Sequence, residues 1–380
     1  MKIFYFISSL SNSGGIERIV TLKANYLAEN TLHEIVIVTS DDKDQPSFFS
    51  LSKKVRLLQL DINYSEALQH NIIRRTFEYL GKQARHKQIL KQLLKKEKPD
   101  ILISTFGLEM PVVAEVKFGG KRILEYHFSK NSKFKEFKYN HRNILWFFLE
   151  HVRCKMNNFY IRRYDKFVVL TGQDRKLWNM KNNIEVIPNF ISNDILFSEY
   201  SQYSNIVIAV GRFSVQKGFD RLLEIWRKVQ DYSKDWKLLL VGNGECEGLL
   251  REKIEKYNLS DSVQLEQSTT RIYDFYKKAA IYVMTSRYEG FPMVLLEAKA
   301  FGLPTIAFDC ECGPQEIIKD GKNGFLIKDD DEDDFIKKLL LLIQNSELRK
   351  KMSDNMLQGL DAYSEKNVMK QWIDLFDNLS

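Results

Sequence analysis

The sequence predicts an α/β protein in which two parallel sheets, one in each half of the chain, are covered by helices. Short apolar segments typical of buried strands alternate with amphipathic segments typical of helices as far as residue 344. A polar segment, 189–204, interrupts the alternation. The chain has 380 residues, and single cores stop growing near ~250–300 residues. We therefore expect a domain over 1–190, a second over 204–362 and a final segment over 363–380.

The elements of the first half follow from its apolar runs and breaks. The predicted strands are 2–8, 34–38, 55–60, 100–104, 121–126, 166–170 and 183–187, and the predicted helices are 16–28, 66–97 and 141–163. Pro99 ends the long second helix, because proline cannot continue a helix. The polar segment 189–204 has little periodicity and is interpreted as the linker between the domains.

The second half repeats the same alternation. Its predicted strands are 205–210, 236–241, 262–265, 279–284, 304–308 and 323–327, and its predicted helices are 217–230, 244–257, 270–278, 292–301, 313–319 and 332–344, followed by 346–357 and 365–378. The pattern indicates two Rossmann-like halves that face each other across a cleft. Ligands are expected at the carboxyl ends of the strands, where loops lead into helices.

Composition bounds the class of protein. The chain is 44% hydrophobic and 28% charged, which is ordinary for a folded soluble protein. No apolar run approaches the ~18–20 residues of a membrane span, and the apolar start is too short for a signal peptide. The four cysteines favour a cytoplasmic location. Cys310 and Cys312 lack a second pair nearby, so we predict no metal site.

The formal net charge is +7, and much of the basic excess lies in two blocks of the first half. The first comprises Arg74, Arg75, Lys82, Arg85, Lys87, Lys91, Lys95, Lys96 and Lys98, and the second comprises Lys130, Lys133, Lys135, Lys138, Arg142, Arg153, Lys155, Arg162 and Arg163. Aromatic residues lie among the second block. This mixture suits an anionic membrane surface, and it would also suit nucleic acid. Solvated helix faces beside core aromatics would explain it equally well.

The segment 286–297 carries the clearest chemical pattern. It follows a buried strand, Gly290 breaks the apolar pattern, and Pro292 occupies the position expected for a first helical residue. Glu289 lies in the loop and Glu297 in the helix, so both carboxylates could accept hydrogen bonds from sugar or ribose hydroxyls.

Backbone groups at the start of this helix add a second kind of recognition. The free N–H groups of Phe291, Met293 and Val294 could bind an anion or a hydroxyl oxygen. A ligand with both phosphates and hydroxyls, such as a sugar nucleotide, fits this combination. Taken alone, a solvated helix carboxylate and a loop charge would be the ordinary interpretation of such a glutamate pair.

Two loops at strand ends supply further candidates for phosphate binding. Gly14 and Gly15 open the first helix and leave N–H groups available for phosphate, although a plain turn explains them too. Arg212 and Lys217 flank the loop after strand 205–210, where two cations could hold a diphosphate and offset its charge as it leaves.

Two more strand ends carry candidates of weaker pattern. Gly242 follows strand 236–241. Its preferred interpretation is a turn residue, and its second interpretation is a nucleotide contact. His127 ends strand 121–126, where it could contact a sugar hydroxyl or serve a structural role.

Together these motifs resemble the retaining GT-B glycosyltransferases of family 4. The resemblance spans essentially the full chain and rests on Gly14-Gly15-Ile-Glu, Glu125-Tyr-His127-Phe, Gly211-Arg212-x4-Lys217-Gly, Gly242-Asn-Gly, Glu289-Gly-Phe-Pro-x4-Glu297, Ala298-x-Ala-x-Gly302-x-Pro304 and Gly313-Pro-x-Glu316. The chain is similar to the bacterial surface-polysaccharide branch, including lipopolysaccharide and capsule enzymes. That branch often has adjacent Glu-His, where this chain has Tyr126-His127 with Glu125 one place earlier.

The resemblance implies a role for each motif. Gly15, Arg212 and Lys217 would bind the donor diphosphate, and Glu297 would bind the ribose. Glu289 and the backbone of 290–293 would bind the donor sugar, with His127 near sugar and acceptor. The last helix, around Trp372, would cross back to the first half. No metal or cofactor would be needed.

The expected function is therefore transfer of a hexose or N-acetylhexosamine, with retention, from a nucleotide sugar to a lipid-linked or cell-surface glycan. Family frequency favours UDP. The basic and aromatic segments of the first half would place the enzyme on the cytoplasmic face of the inner membrane, with no nucleic acid expected as a partner. Two alternatives stay open: an inactive GT-B protein that binds anionic surfaces or nucleic acid, and a sugar-nucleotide epimerase of the same fold.

Overall fold

The computed structural model describes residues 1–379 except 13, 68–71, 140–143, 181–182, 193–200, 202 and 270. Its strands are β1 (Lys2–Ile7), β2 (Glu34–Thr39), β3 (Arg56–Gln59), β4 (Ile101–Ser104), β5 (Lys121–Tyr126), β6 (Lys166–Val169), β7 (Ile184–Val186), β8 (Ile206–Val210), β9 (Lys237–Val241), β10 (Val263–Glu266), β11 (Ile281–Met284), β12 (Thr305–Phe308) and β13 (Gly324–Ile327).

Helices connect these strands. They are α1 (Gly15–Asn30), α2 (Tyr64–Ala67), α3 (Ile72–Glu97), α4 (Met110–Glu115), α5 (Ser132–Tyr139), α6 (Ile144–Ile161), α7 (Gly172–Trp178), α8 (Phe219–Gln230), α9 (Glu247–Lys256), α10 (Ile272–Lys278), α11 (Met293–Ala300), α12 (Pro314–Ile317), α13 (Glu332–Gln344), α14 (Ser346–Met356) and α15 (Glu365–Asp377). No described helix is both long enough and apolar enough to cross a bilayer.

The strands form two separate parallel sheets. The first has the order β3-β2-β1-β4-β5-β6-β7, and the second has the order β10-β9-β8-β11-β12-β13. In each sheet the first strand has the second strand on one side and the fourth on the other. The loops after β1 and β4 therefore leave in opposite directions, and so do the loops after β8 and β11. Such switch points form the ligand crevices of open α/β sheets. This architecture confirms the predicted α/β class with two Rossmann-like halves.

The helices bury both faces of the first sheet. One face packs against α1 and α15, with Trp372 only 1% exposed, and the opposite face packs against α3, α4 and α6. Helix α15 follows the whole second sheet in the chain yet completes the core of the first. The chain passes from the first half to the second and later returns, and these two connecting segments run side by side, since Ile191 pairs with Ser364. The predicted return of the last helix is confirmed.

Several elements differ from the prediction. Helices α4, α5 and α7 were not predicted, because segments of six to eight residues are too short to show helical periodicity. The helix predicted over 66–97 is described as α2 and α3, with 68–71 outside the described residues. The start of the helix predicted over 141–163 and most of the predicted linker, 193–200 and 202, also lie outside them.

Candidate functional site

The loops that follow β8 and β11 pack against each other at the switch point of the second sheet. Gly218 has φ +66°, and a Cβ atom there would lie 2.1 Å from the carbonyl oxygen of Thr285, so this close approach requires glycine. The Thr285 hydroxyl donates to the Gly218 carbonyl at 3.0 Å. The backbone N–H of Arg287 donates to the carbonyl of Gln216 at 2.8 Å. The two loops therefore form one preorganised surface.

Lys217 and Glu289 meet on this surface. The Lys217 Nζ donates to Glu289 Oε1 at 2.7 Å, and the side chains are 17% and 6% exposed. Arg212 lies two residues after the end of β8 and is exposed, and its side chain makes no hydrogen bond or ion pair with any described residue. Its charge acts on Glu17 of the opposite half. Both predicted phosphate-binding cations thus lie at the carboxyl end of β8.

Glu297 reaches across the cleft. Its Oε1 accepts from Arg18 Nη1 at 2.8 Å, and its Oε2 accepts from the Tyr276 hydroxyl at 2.9 Å. Arg18 also donates to the Tyr273 hydroxyl at 2.6 Å. Burial opposes the charge of Arg18, but Glu297 outweighs it and raises the Arg18 pKa. Since Arg18 belongs to α1, this buried carboxylate joins the two halves.

The start of α11 differs by one residue from the prediction. Pro292 is the N-cap, and Met293 is the first helical residue, because the carbonyl of Pro292 already accepts from Leu295 N at 2.9 Å. Among the described residues, no hydrogen bond uses the N–H groups of Phe291, Met293 or Val294. They are available donors at a helix N-terminus, as predicted from the sequence.

Gly290 brings the second half into contact with the end of β5. A Cβ atom at Gly290 would lie 2.4 Å from the carbonyl oxygen of His127 and 2.8 Å from Cα of Phe128. The loop that carries Glu289 therefore packs directly on the strand end that carries His127. Burial lowers the His127 pKa to about 4, so the imidazole is neutral near pH 7.

A buried ion pair lies behind His127. Lys23 of α1 donates to Glu125 Oε1, and the side chains are 2% and 0% exposed. The same Glu125 oxygen lies 3.3 Å from His127 Nε2. The Lys23 ammonium stands 4.3 Å from the ring centre of Trp372 on the returning helix α15. Burial lowers the pKa of Lys23, against the attraction of Glu125.

The predicted glycines occupy different settings. Gly14 is the N-cap of α1, with the Glu17 carboxylate folded against it. Gly15 is exposed, and no atom lies within 4 Å of the position of an added Cβ. Gly242 lies against the carbonyl of Gly211, where a Cβ would approach to 1.9 Å. Packing therefore explains Gly242, whereas the open side of Gly15 leaves room for a ligand.

Sequence reasoning missed the roles of Arg18, Tyr273, Tyr276 and Lys23. One signal could have revealed Lys23, because it occupies a position of α1 where the helical period expects an apolar residue, between Ile19 and Leu27. The contacts of Arg18 and the two tyrosines depend on how the halves face each other. That orientation is not encoded in a local pattern.

Comparison with known proteins identifies relatives of this chain. Residues 196–358 match the family described as Glycosyl transferases group 1. An uncharacterized glycosyltransferase of Haemophilus influenzae is 30% identical over 378 residues, with 98% of each chain covered. The amylovoran biosynthesis glycosyltransferase AmsD of Erwinia amylovora is 37% identical over 222 residues, 56% of this chain and 62% of AmsD.

A further relative acts on a lipid-linked glycan. It is an alpha-1,4-N-acetyl-D-galactosaminyltransferase of Campylobacter jejuni whose substrate is a GalNAc-containing diNAcBac-PP-undecaprenol, and it is 25% identical over 379 residues, 99% of this chain and 98% of the relative. Among solved structures, a variant of S. aureus TarM in complex with fondaparinux, alpha-GlcNAc-glycerol and UDP has a TM-score of 0.77 at 17% identity, covering 99% of both chains.

These similarities do not favour the two alternatives left open by the sequence, a surface-binding or nucleic-acid-binding protein and an epimerase. The fold likeness extends over both halves and the returning helix. The full-length likeness at 30% identity extends beyond the second half, where the family match lies. The chain therefore belongs to the group 1 glycosyltransferases and has the GT-B fold.

Proposed function

We propose that the protein transfers a hexose or N-acetylhexosamine, with retention of configuration, from a UDP-sugar to a lipid-linked glycan. It would act as a hexosyltransferase of family 4, without a metal or other cofactor. The observation that carries this proposal is the Lys217–Glu289 pair, at 2.7 Å and largely buried at the cleft, beside an exposed Arg212 whose side chain has no hydrogen-bond or ion-pair partner among the described residues.

The chemistry of these groups matches a sugar nucleotide. The diphosphate would lie between Arg212, Lys217 and the open N–H groups of Gly15 and Met293, since cations and helix N-termini bind phosphate oxygens. Glu297 would accept the ribose hydroxyls, because an ionised carboxylate has lone pairs beyond the two that Arg18 and Tyr276 occupy.

The proposed reaction needs little covalent chemistry from the protein. An acceptor hydroxyl oxygen forms a bond to the anomeric carbon on the face from which the diphosphate leaves, while the bond from that carbon to the phosphate oxygen breaks. The acceptor proton passes to the departing phosphate oxygen. Arg212 and Lys217 stabilise the charge that develops there, which is the largest contribution that fixed donors make to such reactions.

A donor panel tests this proposal. UDP- and GDP-linked glucose, galactose and their N-acetyl forms are assayed for nucleotide release and for a rise in melting temperature, which depends on ligand affinity. We expect a UDP-sugar to raise the melting temperature and to be hydrolysed or transferred. An axial donor giving an axial anomeric linkage by NMR would support retention. No response to any nucleotide sugar would overturn the donor assignment.

Exposed apolar side chains support a membrane-bound acceptor. On α6, Val152, Met156 and Phe159 follow one helical face and are 42%, 53% and 53% exposed. On α3, Phe77 and Leu80 are 73% and 55% exposed. The two helices lie near each other, since Arg153 and Tyr160 of α6 act on the charge of Tyr79 on α3.

Cations flank this apolar face of α3 and α6. Arg153, Lys155 and Arg162 are exposed on or just after α6, and Arg163 stacks on Phe159 at 4.4 Å. Apolar side chains among cations suit an anionic bilayer surface. The Campylobacter relative, whose named acceptor is linked to undecaprenol, supports an acceptor of the same kind.

Vesicle sedimentation tests this surface at the cytoplasmic membrane. Binding to vesicles with a third phosphatidylglycerol is compared with binding to pure phosphatidylcholine, in a salt series. We expect binding only to the anionic vesicles, lost on replacing Met156 and Phe159 by Ser. The control replaces exposed Leu341 by Ser on α13 of the other half. Equal binding by both variants would contradict the proposed surface.

A further inference from the structure

A Lys23–Glu125 pair is buried in the core of the first half, directly behind His127. Lys23 comes from α1 and Glu125 from β5, and both are at most 2% exposed. Tyr5 of β1 is 0% exposed and feels the charge of Glu125, and Trp372 of α15 covers the ammonium. The pair therefore lies where four elements of the fold converge.

Burying such a pair is costly and does little for stability by itself. Taking both charges out of water costs several kcal/mol for each ion, and apolar residues of similar volume often replace such pairs without loss. The surroundings do not satisfy the pair fully, because Glu125 Oε2, His127 Nε2 and the Tyr5 hydroxyl are buried without a hydrogen-bond partner among the described residues. A role other than packing would explain why the pair is present.

The geometry connects the pair to His127. Glu125 and His127 are two residues apart at the end of β5, so their side chains lie on the same side of the sheet. The Nε2 atom of His127 stands 3.3 Å from Glu125 Oε1, without the alignment of a good hydrogen bond. A ring nitrogen this close to a carboxylate oxygen is favoured when it carries the proton, because two lone pairs would repel.

Two effects of opposite sign act on the imidazole. Glu125 alone would attract a proton to His127, whereas Lys23 opposes it. The Lys23–Glu125 pair has no net charge, whichever of the two residues carries the proton. Burial therefore determines the protonation state of the imidazole, and the ring stays neutral. The charges that act on His127 are those of Glu125 and Lys23. Tyr5 is acted on by Glu125, and the second half contacts His127 through the backbone of Gly290.

We propose that Lys23 and Glu125 are positioning residues that act through His127, fixing the neutral imidazole with its proton on Nε2 and its Nδ1 lone pair free to accept a hydrogen bond from a substrate hydroxyl. The role of that hydroxyl rests on the proposed function. The tautomer and its cause do not, because they are properties of the ligand-free protein.

The primary test is an NMR titration of the ligand-free protein labelled with 15N-histidine, with His127 assigned by loss of its signals in His127→Gln. Imidazole 15N shifts report directly which ring nitrogen carries the proton. In the wild type we expect the Nε2–H tautomer and a midpoint well below the ordinary ~6.5. A wild-type ring protonated on Nδ1, or charged at pH 7, would overturn the proposal.

The variant Lys23→Met removes the compensating ammonium. We expect the His127 midpoint to move upward by about one pH unit or more, because an uncompensated carboxylate lies 3.3 Å away. Lys299→Met is the matched control: Lys299 is a buried lysine whose ammonium bonds the Gln358 carbonyl at 2.9 Å in the other half. It should not move the His127 midpoint. An unchanged midpoint in Lys23→Met would overturn the proposal.

The double variant Lys23→Met/Glu125→Gln covers the case in which the single variant does not fold. It buries no charge and retains the shape of the pair. We expect a low midpoint and a mixture of the two neutral tautomers, since the Gln amide can donate to Nε2 as well as accept from it. Turnover of a UDP-sugar should then fall about tenfold, the worth of about one hydrogen bond, with the donor KM within twofold. An unchanged tautomer in the folded double variant would show a structural role only.

Discussion

Two lysine–glutamate pairs, one in each half, show how the same residue types serve different purposes. Lys217 and Glu289 are 17% and 6% exposed at the cleft, whereas Lys23 and Glu125 are 2% and 0% exposed inside the first half. A ligand can reach the first pair and take over part of its bonding. It cannot reach the second, which can act only on its neighbours. Depth of burial, and not the identity of the pair, separates ligand binding from positioning.

The largest difference between the pairs should appear in stability. Replacing Lys23 by Met leaves Glu125 buried without its partner, which costs about 3–5 kcal/mol in comparable pairs. The equivalent Lys217→Met change also leaves a buried carboxylate, since Glu289 is only 6% exposed, but water can enter the 17% exposed Lys217 site, so the loss should be smaller. Urea unfolding of both variants measures the contrast. Equal losses of unfolding free energy in the two variants would show that the depth of burial does not distinguish the two pairs.

The reverse contrast should appear in turnover. Arg212→Ala/Lys217→Ala removes the cations proposed to hold the leaving diphosphate, so kcat with a UDP-sugar should fall about 10²–10³-fold. Its melting temperature should fall less than that of Lys23→Met, because the space that Lys217 leaves is open to water at the cleft. Lys370→Ala, which breaks an exposed pair with Asp374 on α15, serves as the control and should keep full activity. A fully active double variant would refute the diphosphate role.

Acid should weaken the first half more than the second. Burial lowers the pKa values of His86 and His127 to about 4, below the ~6.5 of an unfolded histidine. Their neutral forms therefore favour the folded state fully above pH 6.5, and each contribution is lost as the pH falls toward 4, by about 2 kcal/mol at pH 5. Asp174 has the opposite effect on stability. Burial raises its pKa to about 6, so its protonation as the pH falls favours the folded state.

Hydrogen exchange at pH 7 and pH 5, corrected for intrinsic rates, locates this effect. Protection of β1, β4 and β5 should drop more than that of β8, β11 and β12. The variant His86→Phe should reduce the pH dependence, since it removes one of the two buried imidazoles. Uniform loss of protection in both sheets would contradict a first half that is selectively sensitive to acid.

The smallest of these effects concerns the bridge between the halves. Arg18→Ala removes a charged hydrogen bond to Glu297, which should lower stability by about 1.5 kcal/mol. Arg18→Lys keeps the charge but cannot bond Glu297 and Tyr273 together, so it should recover only part of the loss. Thermal unfolding of both variants at low and high salt measures how much the Arg18–Glu297 pair contributes to stability. An unchanged melting temperature in Arg18→Ala would indicate that water replaces it.

The second half was predictable in detail because its site is local in sequence. Glu289, Pro292 and Glu297 lie within one loop and one helix, and their pattern indicates both carboxylates and the available N–H groups. Only the position of Pro292 was wrong, by one residue, because a cap and a first helical residue look alike in sequence. Roles assigned to these residues remain predictions that the ligand experiments test.

The first half was less predictable because its site is assembled from distant segments. Lys23 and Glu125 are 102 residues apart, and Arg18 bonds a carboxylate 279 residues away. Strand order brings β1 and β5 into one sheet, but no local periodicity reports which side chains meet there. The short helices α4, α5 and α7 were not predicted for a related reason, because they depend on contacts made by the folded chain.

The returning helix α15 has a consequence for the order in which the chain matures during synthesis. Trp372 and Phe376 fill one face of a sheet whose first strand leaves the ribosome more than three hundred residues earlier. Until translation reaches them, α15 is missing from that face and α1 covers only part of it, and Lys23 has no Trp372 ring above it. The domain made first is thus finished last, and its assembly must wait for the second domain to be synthesised.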